Sequence, residues 1–151
     1  MIRISPYRDE HFAGVQSLWT EVFPNDPPWN RAEVAIPEKL AAQPDLLLVA
    51  ENDEGRVVGT AMAGYDGHRG WLYSLAVKPS HQRRGLGSSL VAAAESALAA
   101  LGCHKLNLQI RAGNEAVSAF YKQHGYDFSD CISMGKRIGI DQVGKSNDES
   151  P

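Results

Sequence analysis

Apolar residues recur at Phe12, Val15, Leu18, Trp19 and Val22, the three- and four-residue steps that lay one face of a helix against a core. A first helix is predicted there, with Asp9 as its cap. Ahead of it, Ile2 and Ile4 alternate with polar residues up to Pro6, which reads as a short strand. The segment FPNDPPWN ends the helix with three prolines, and RAEVAIPEKLAAQ resumes an irregular helical pattern interrupted by Pro37. This helix–loop–helix either faces a substrate or merely turns the chain.

The period then changes. LLLVAE and RVVGTAMAGY are β-rich runs on either side of Asn52-Asp53-Glu54-Gly55, a hairpin signature. GHRG makes the next turn and WLYSLAV the next strand. Leu86, Leu90, Val91, Ala94, Ala97, Leu98 and Leu101 share one helical face, and Gly102 supplies the stop. LNLQI alternates as a strand, and NEAVSAFYKQHG is a helix opened by Asn114 and closed by Gly125. Two short β-like segments follow, around Tyr126 to Phe128 and Cys131 to Ile138. Residues 139–151 form a polar tail that is expected to fray.

The order β-α-α-β-β-β-α-β-α-β-β predicts a single α/β domain over residues 1–138, with helices flanking one mixed sheet. A chain of 151 residues has room for one such core. The formal net charge of −3, from 15 Lys and Arg against 18 Asp and Glu, argues against a general nucleic-acid binder. The start MIRISPYRDEHF carries charges where a signal peptide needs an apolar core, and no apolar run approaches the roughly 18 residues of a membrane span. A cytoplasmic protein without membrane contact is expected. Cys103 and Cys131 stand far apart, with no CxxC and no His/Cys cluster, so no metal site is expected and both thiols are read as reduced.

Between the strand residues LAV and the long helix lies QRRGLG, residues 82–87. Glycines at a strand-to-helix junction let a ligand approach the backbone, and the first N–H groups of the helix have no intrahelical acceptors. Such a junction suits an anion, phosphate above all. The alternative is that Gly85 and Gly87 only permit a tight turn. A Rossmann fingerprint needs a third glycine, where Leu90 stands, and an acidic residue ending the next strand, which carries Asn107 and Gln109 instead. A phosphate loop of the GxxxxGK type is absent as well.

LAVKPSHQRRGLGSSLV is similar to the acetyl-CoA motif of the GNAT acyltransferases: Arg or Gln, two residues, Gly, one residue, then Gly or Ala. RAGNEAVSAFYKQHGY resembles the same family's second cofactor segment, where Asn opens a helix that contains an aromatic-Tyr pair. Two motifs in this order and spacing are more specific than either alone. GYDGHRG, with PWN upstream, further looks like the small bacterial YpeA-type subgroup. The resemblance implies a GNAT-like fold, acetyl-CoA as acetyl donor, and direct attack by an amine in a ternary complex. It implies a pantetheine contact along Leu75, Ala76 and Val77, and a pyrophosphate cradle at Gln82, Arg83, Arg84, Gly85, Leu86, Gly87 and Ser88, made chiefly of backbone amides. It also implies that Asn114 contacts the cofactor and that Tyr121 is the general acid that protonates the departing CoA sulfur.

The base is less well marked. Some peptide N-terminal acetyltransferases of the family have Glu where Gln109 stands, and Gln cannot accept the proton. His68 is the candidate base because an imidazole titrates near neutral pH, with Asp66, Tyr73, Glu21 and a water relay as alternatives. Trp19 and Trp29 either wall an acceptor pocket or pack, packing being the expectation for Trp19. The acceptor is read as a primary amine of a small molecule or a protein. A CoA-binding sensor without turnover is the competing function, kept open by Gln109 and opposed by Tyr121; a phosphate-binding structural domain ranks third. A homodimer through the C-terminal strands is compatible with the pattern.

Overall fold

The computed structural model describes residues 1–139. They belong to two compact units, one of residues 1–108 and one beginning at Gln109. In the first, β1 (Arg3–Pro6), β2 (Leu47–Glu51), β3 (Val57–Tyr65), β4 (Gly70–Val77) and β5 (Leu106–Asn107) form one mixed sheet in that spatial order. β1 to β4 run antiparallel to their neighbours, and β5 joins β4 in parallel. Helices α1 (Phe12–Val22) and α2 (Ala32–Ala42) follow β1, and α3 (Leu86–Ala100) links β4 to β5. The second unit contains α4 (Glu115–Gln123). The β2–β3 turn is tied by Asn52, whose Oδ1 accepts the N–H groups of Glu54 and Arg56, both at 3.0 Å.

Apolar alternation gives the sheet two buried faces. Val15, Leu18 and Trp19 of α1 and Ala32 and Ile36 of α2 pack with Leu47, Val49 and Ala76 on one face. On the other, a Cβ at Gly59 would stand 2.9 Å from Leu90 Cδ1 and 3.3 Å from Leu86 Cδ2, so glycine lets the first turns of α3 rest on the sheet. β4 changes face along its length. Gly70 lies against Leu98 and Cys103, yet Ala76 packs with α1 and α2, although strict alternation would give both residues the same side. A bulge resolves this: Tyr73 pairs with Met62 and Ala76 with Thr60, so Ser74 and Leu75 together oppose Ala61. Ser74 takes φ 49°, in the left-handed region.

Several sequence expectations change. A 3-10 turn, Asp9–His11, precedes α1, and the capping contact is His11 Nδ1 accepting the Arg8 N–H at 2.9 Å, not Asp9. α2 continues through Pro37, with Ala32 and Ile36 buried on its inner face. The strand expected over LNLQI shortens to Leu106–Asn107. No strand follows α4 among the described residues, so the two closing β segments are not formed there. Ile132, Met134 and Ile138 are exposed, which leaves this stretch without a buried face to specify a register. The polar tail expected beyond Gly139 lies outside the described residues. Among those residues no helix is long and apolar enough to cross a membrane.

Glu51, buried at the end of β2, gathers Arg3 at 3.1 Å, Arg8 at 3.4 Å and His11 at 3.3 Å. Burial pushes its carboxyl up, but Arg3 and His11 together outweigh burial and hold it below the ordinary range. A carboxyl depressed by folding stabilises fully above its unfolded pKa, and that contribution fades as pH falls through the folded value. Glu51→Gln should therefore be about 1–3 kcal/mol less stable than wild type near neutral pH. The gap should begin to narrow below about pH 4.3 in melting experiments and close as the folded carboxyl protonates; a gap that stays constant with pH would remove Glu51 as its source.

Candidate active site

β4 meets β5 only at Gly70 with Leu106 and Trp71 with Asn107. Beyond Trp71 its outer edge pairs with no strand of the described residues. Contacts to β3 decide which groups point to that edge. The Lys78 N–H donates to the Val58 carbonyl at 2.9 Å, and the Ser74 carbonyl accepts the Thr60 hydroxyl at 3.0 Å. In a trans peptide C=O and N–H point opposite ways, so the Leu75 N–H and the Val77 carbonyl face outward. Gln82 Nε2 donates to that Val77 carbonyl at 3.0 Å. Gln82 thereby fastens the loop to the strand end.

After Gln82 the backbone turns left-handed twice, at Arg83 (φ 64°) and at Gly85 (φ 84°), the N-cap of α3. The Ser89 N–H to Gly85 carbonyl bond, 3.0 Å, is the first i to i−4 bond of the helix. The N–H groups of Leu86 and Gly87 therefore have no helical acceptor. Alternating backbone hands and a helix N-terminus together form a nest of amide dipoles for an anion. The side chains of Arg83 and Arg84 are exposed, so the nest is built of backbone. A cavity of about 720 Å³ adjoins the loop beside β1, lined by Ile2, Ile4, Asp53, Arg84 and Ser89 among others. None of its lining residues belongs to β4, so it is separate from the open strand edge.

Ala76 is buried and serves packing, while Leu75 and Val77 offer backbone. His68 is exposed in the β3–β4 turn. Asp66 Oδ1 accepts the N–H groups of His68 (2.8 Å) and Arg69 (2.7 Å), and His68 Nε2 lies 2.7 Å from Arg69 Nη1. The backbone donors from Arg69 and His68 hold the Asp66 carboxyl below its usual range, which suits a turn former. At about 3.3 Å per residue, His68 is roughly 20 Å along the chain from Leu75. Tyr73 is half exposed opposite Met62, its phenol raised by burial and then by Asp66. Glu21 is engaged with Lys78 at 3.3 Å. Trp19 is buried as expected, and Trp29 is half-buried in a 3-10 turn, Pro28–Asn30.

In the second unit, Tyr121 is buried, with its ring edge-on to Phe120 (centroids 5.1 Å apart) and Tyr126 (5.5 Å). Burial pushes its phenol up to about 12. Asn114 occupies the N-cap of α4, but its side chain makes no capping hydrogen bond; only its carbonyl accepts, from the Ser118 N–H at 3.3 Å. Gln109 Nε2 donates to the Ser133 hydroxyl.

A sequence profile of the Acetyltransferase (GNAT) family matches residues 12–126. The chain belongs to this family. As a GNAT enzyme it is an N-acetyltransferase with acetyl-CoA as co-substrate. An acetyltransferase of Pectobacterium atrosepticum is 42% identical over 137 residues, covering 91% of this chain and 96% of the relative. An acetyltransferase of Yersinia pestis is 45% identical over 115 residues, 76% of this chain and 81% of the relative. Among solved structures, an aminoglycoside N-acetyltransferase in complex with CoA matches with a TM-score of 0.73 at 21% identity, over 91% of this chain and 95% of that one. The ribosomal-protein-S18-alanine N-acetyltransferase of Escherichia coli matches at 0.69 and 23% identity, over 85% and 79%. At such identities these structures bear on the fold alone.

Proposed function

We propose that this GNAT chain transfers the acetyl group of acetyl-CoA to a primary amine, by direct attack of the amine on the thioester in a ternary complex. The observation that carries the reading is the open outer edge of β4, with its Leu75 N–H turned outward, next to the backbone nest at Arg83 to Gly87. Pantetheine adds along that edge as a strand would, and the pyrophosphate meets the amides of Arg83, Arg84, Gly85, Leu86, Gly87 and Ser88. The Leu75 N–H donates to the oxygen where negative charge develops. Asn114 and Tyr121 take the cofactor-contact and acid roles through their match to the family motif, residue by residue. Residues 1–138 are read as one acetyltransferase domain, because the family match runs through residues of both units.

For the base, the geometry favours water over His68, whose ring is engaged with Arg69 in the turn that opens β4. His68→Ala should accordingly keep kcat within about twofold, since a true general base contributes about 10² or more. A larger loss restores His68 as the base. With its phenol at about 12, Tyr121 stays protonated across the working range, and its donor function is lost only as pH rises through that value. The rate should therefore climb with pH as the acceptor amine deprotonates and show no falling limb up to about pH 10. A fall near neutral pH would show that another acid is in use.

The reading as a whole is tested by calorimetry with acetyl-CoA, followed by thiol release with a panel of polyamines, amino acids, aminoglycosides and peptide N-termini. Binding and release with at least one amine is expected. Absence of acetyl-CoA binding sinks it, and binding without release across the panel favours a CoA sensor.

A further inference from the structure

The bulge in β4 is held from behind by two buried side chains. Trp19 Nε1 donates to Thr60 Oγ1 at 2.8 Å, and Thr60 Oγ1 donates to the Ser74 carbonyl at 3.0 Å. Thr60 is fully buried and Trp19 nearly so. The direction of the relay is forced. An indole N–H can only donate, so the hydroxyl must accept it, and its single hydrogen is left for the Ser74 carbonyl. That carbonyl belongs to the same rigid peptide as the Leu75 N–H, which points the opposite way. Ser74 also holds a left-handed φ of 49° without being glycine, a conformation that persists only where its surroundings over-determine it.

We propose that Thr60, backed by Trp19, is the positioning residue that aims the Leu75 N–H at the reacting carbonyl oxygen. This rests on the acetyltransferase reading above. Thr60 touches neither co-substrate and exchanges no proton with them. It fixes the plane of the Ser74–Leu75 peptide, and so the angle at which one oxyanion donor meets developing charge. A donor in the right place but free to swing loses most of its value, because the benefit comes from being oriented before the charge appears.

The test compares Thr60→Val, which removes the hydroxyl while nearly keeping the shape, with Thr60→Ser, which keeps the hydroxyl. Thr60→Val should lower kcat by about 10- to 100-fold, less than the roughly 10²- to 10³-fold loss on removing an oxyanion donor outright. The Kd for acetyl-CoA should stay within about threefold, because the phosphate nest is untouched. Thr60→Ser should recover kcat to within about threefold of wild type. In labelled protein the Leu75 amide proton should move downfield on adding acetyl-CoA in wild type and Thr60→Ser, and should fail to do so in Thr60→Val. If Thr60→Val does not fold, Trp19→Phe, which removes only the donor behind the hydroxyl, should lower kcat in the same direction by about threefold or more. An unchanged kcat in Thr60→Val, an unchanged Leu75 response, or equal loss in Thr60→Ser would overturn the assignment while leaving the acetyltransferase reading intact. Failure of the wild type to bind acetyl-CoA would instead sink that reading itself.

Discussion

Tyr121→Phe should lower kcat about 100-fold while leaving the Kd for acetyl-CoA within about twofold, because only the proposed proton donor is removed. The ring keeps its edge-on contacts with Phe120 and Tyr126, so packing in α4 is preserved. The lost hydroxyl is the group whose ionisation burial opposes. A phenol at about 12 holds its proton at any working pH, so the donor is present when the carbon–sulfur bond breaks. Steady-state rates with acetyl-CoA and calorimetry on the same preparation separate the two parameters. Unchanged kcat would mean that the sulfur takes its proton from solvent, and a parallel fall in affinity would mean that Tyr121 shapes the binding site instead.

Gly87→Glu should weaken acetyl-CoA binding by about 100-fold or more and leave the protein folded. Gly87 sits in the first turn of α3 with an ordinary helical backbone, so a side chain there needs no strained φ. A glutamate near a helix N-terminus is even favoured by the aligned peptide dipoles. What it opposes is the ligand. A carboxylate about 5 Å from a phosphate, at an effective dielectric of about 20, costs roughly 3 kcal/mol, and its bulk stands where backbone amides must be approached. Calorimetry paired with thermal melting checks both halves. Normal affinity would displace the phosphate from this loop, and a lowered melting temperature would turn the loss into one of fold.

Local patterns in the sequence specified much of this protein. The 3.6-residue period from Phe12 to Val22 and from Leu86 to Ala100 specified α1 and α3, because burying one stripe of a helix is what stabilises it in water. Asn52 to Gly55 specified the β2–β3 turn, since the Asn52 side chain replaces ladder partners within the turn itself. The glycine spacing of QRRGLG and the Asn114–Tyr121 interval carried the resemblance to the family. Patterning went astray where pairing needs a distant partner. The stretch around Cys131 to Ile138 alternates like a strand yet pairs with no strand among the described residues, and alternation alone cannot supply one.

The direction of the Leu75 N–H, by contrast, was written nowhere in GWLYSLAV. It depends on the bulge opposite Ala61, on the left-handed Ser74, and on a threonine in another strand bonded to a tryptophan in a helix. Thr60 reads in sequence as an ordinary strand residue, and Trp19 as core. The turn around His68 shows the converse: a residue of suitable chemistry was engaged by Asp66 and Arg69 at the far end of β4. Sequence alone determined the long helices and the β2–β3 turn, because periodicity and turn chemistry act within a segment, and its two motifs carried the family resemblance. Only the tertiary structure decided where the donors point, because a hydrogen bond's direction is set by groups that meet through folding.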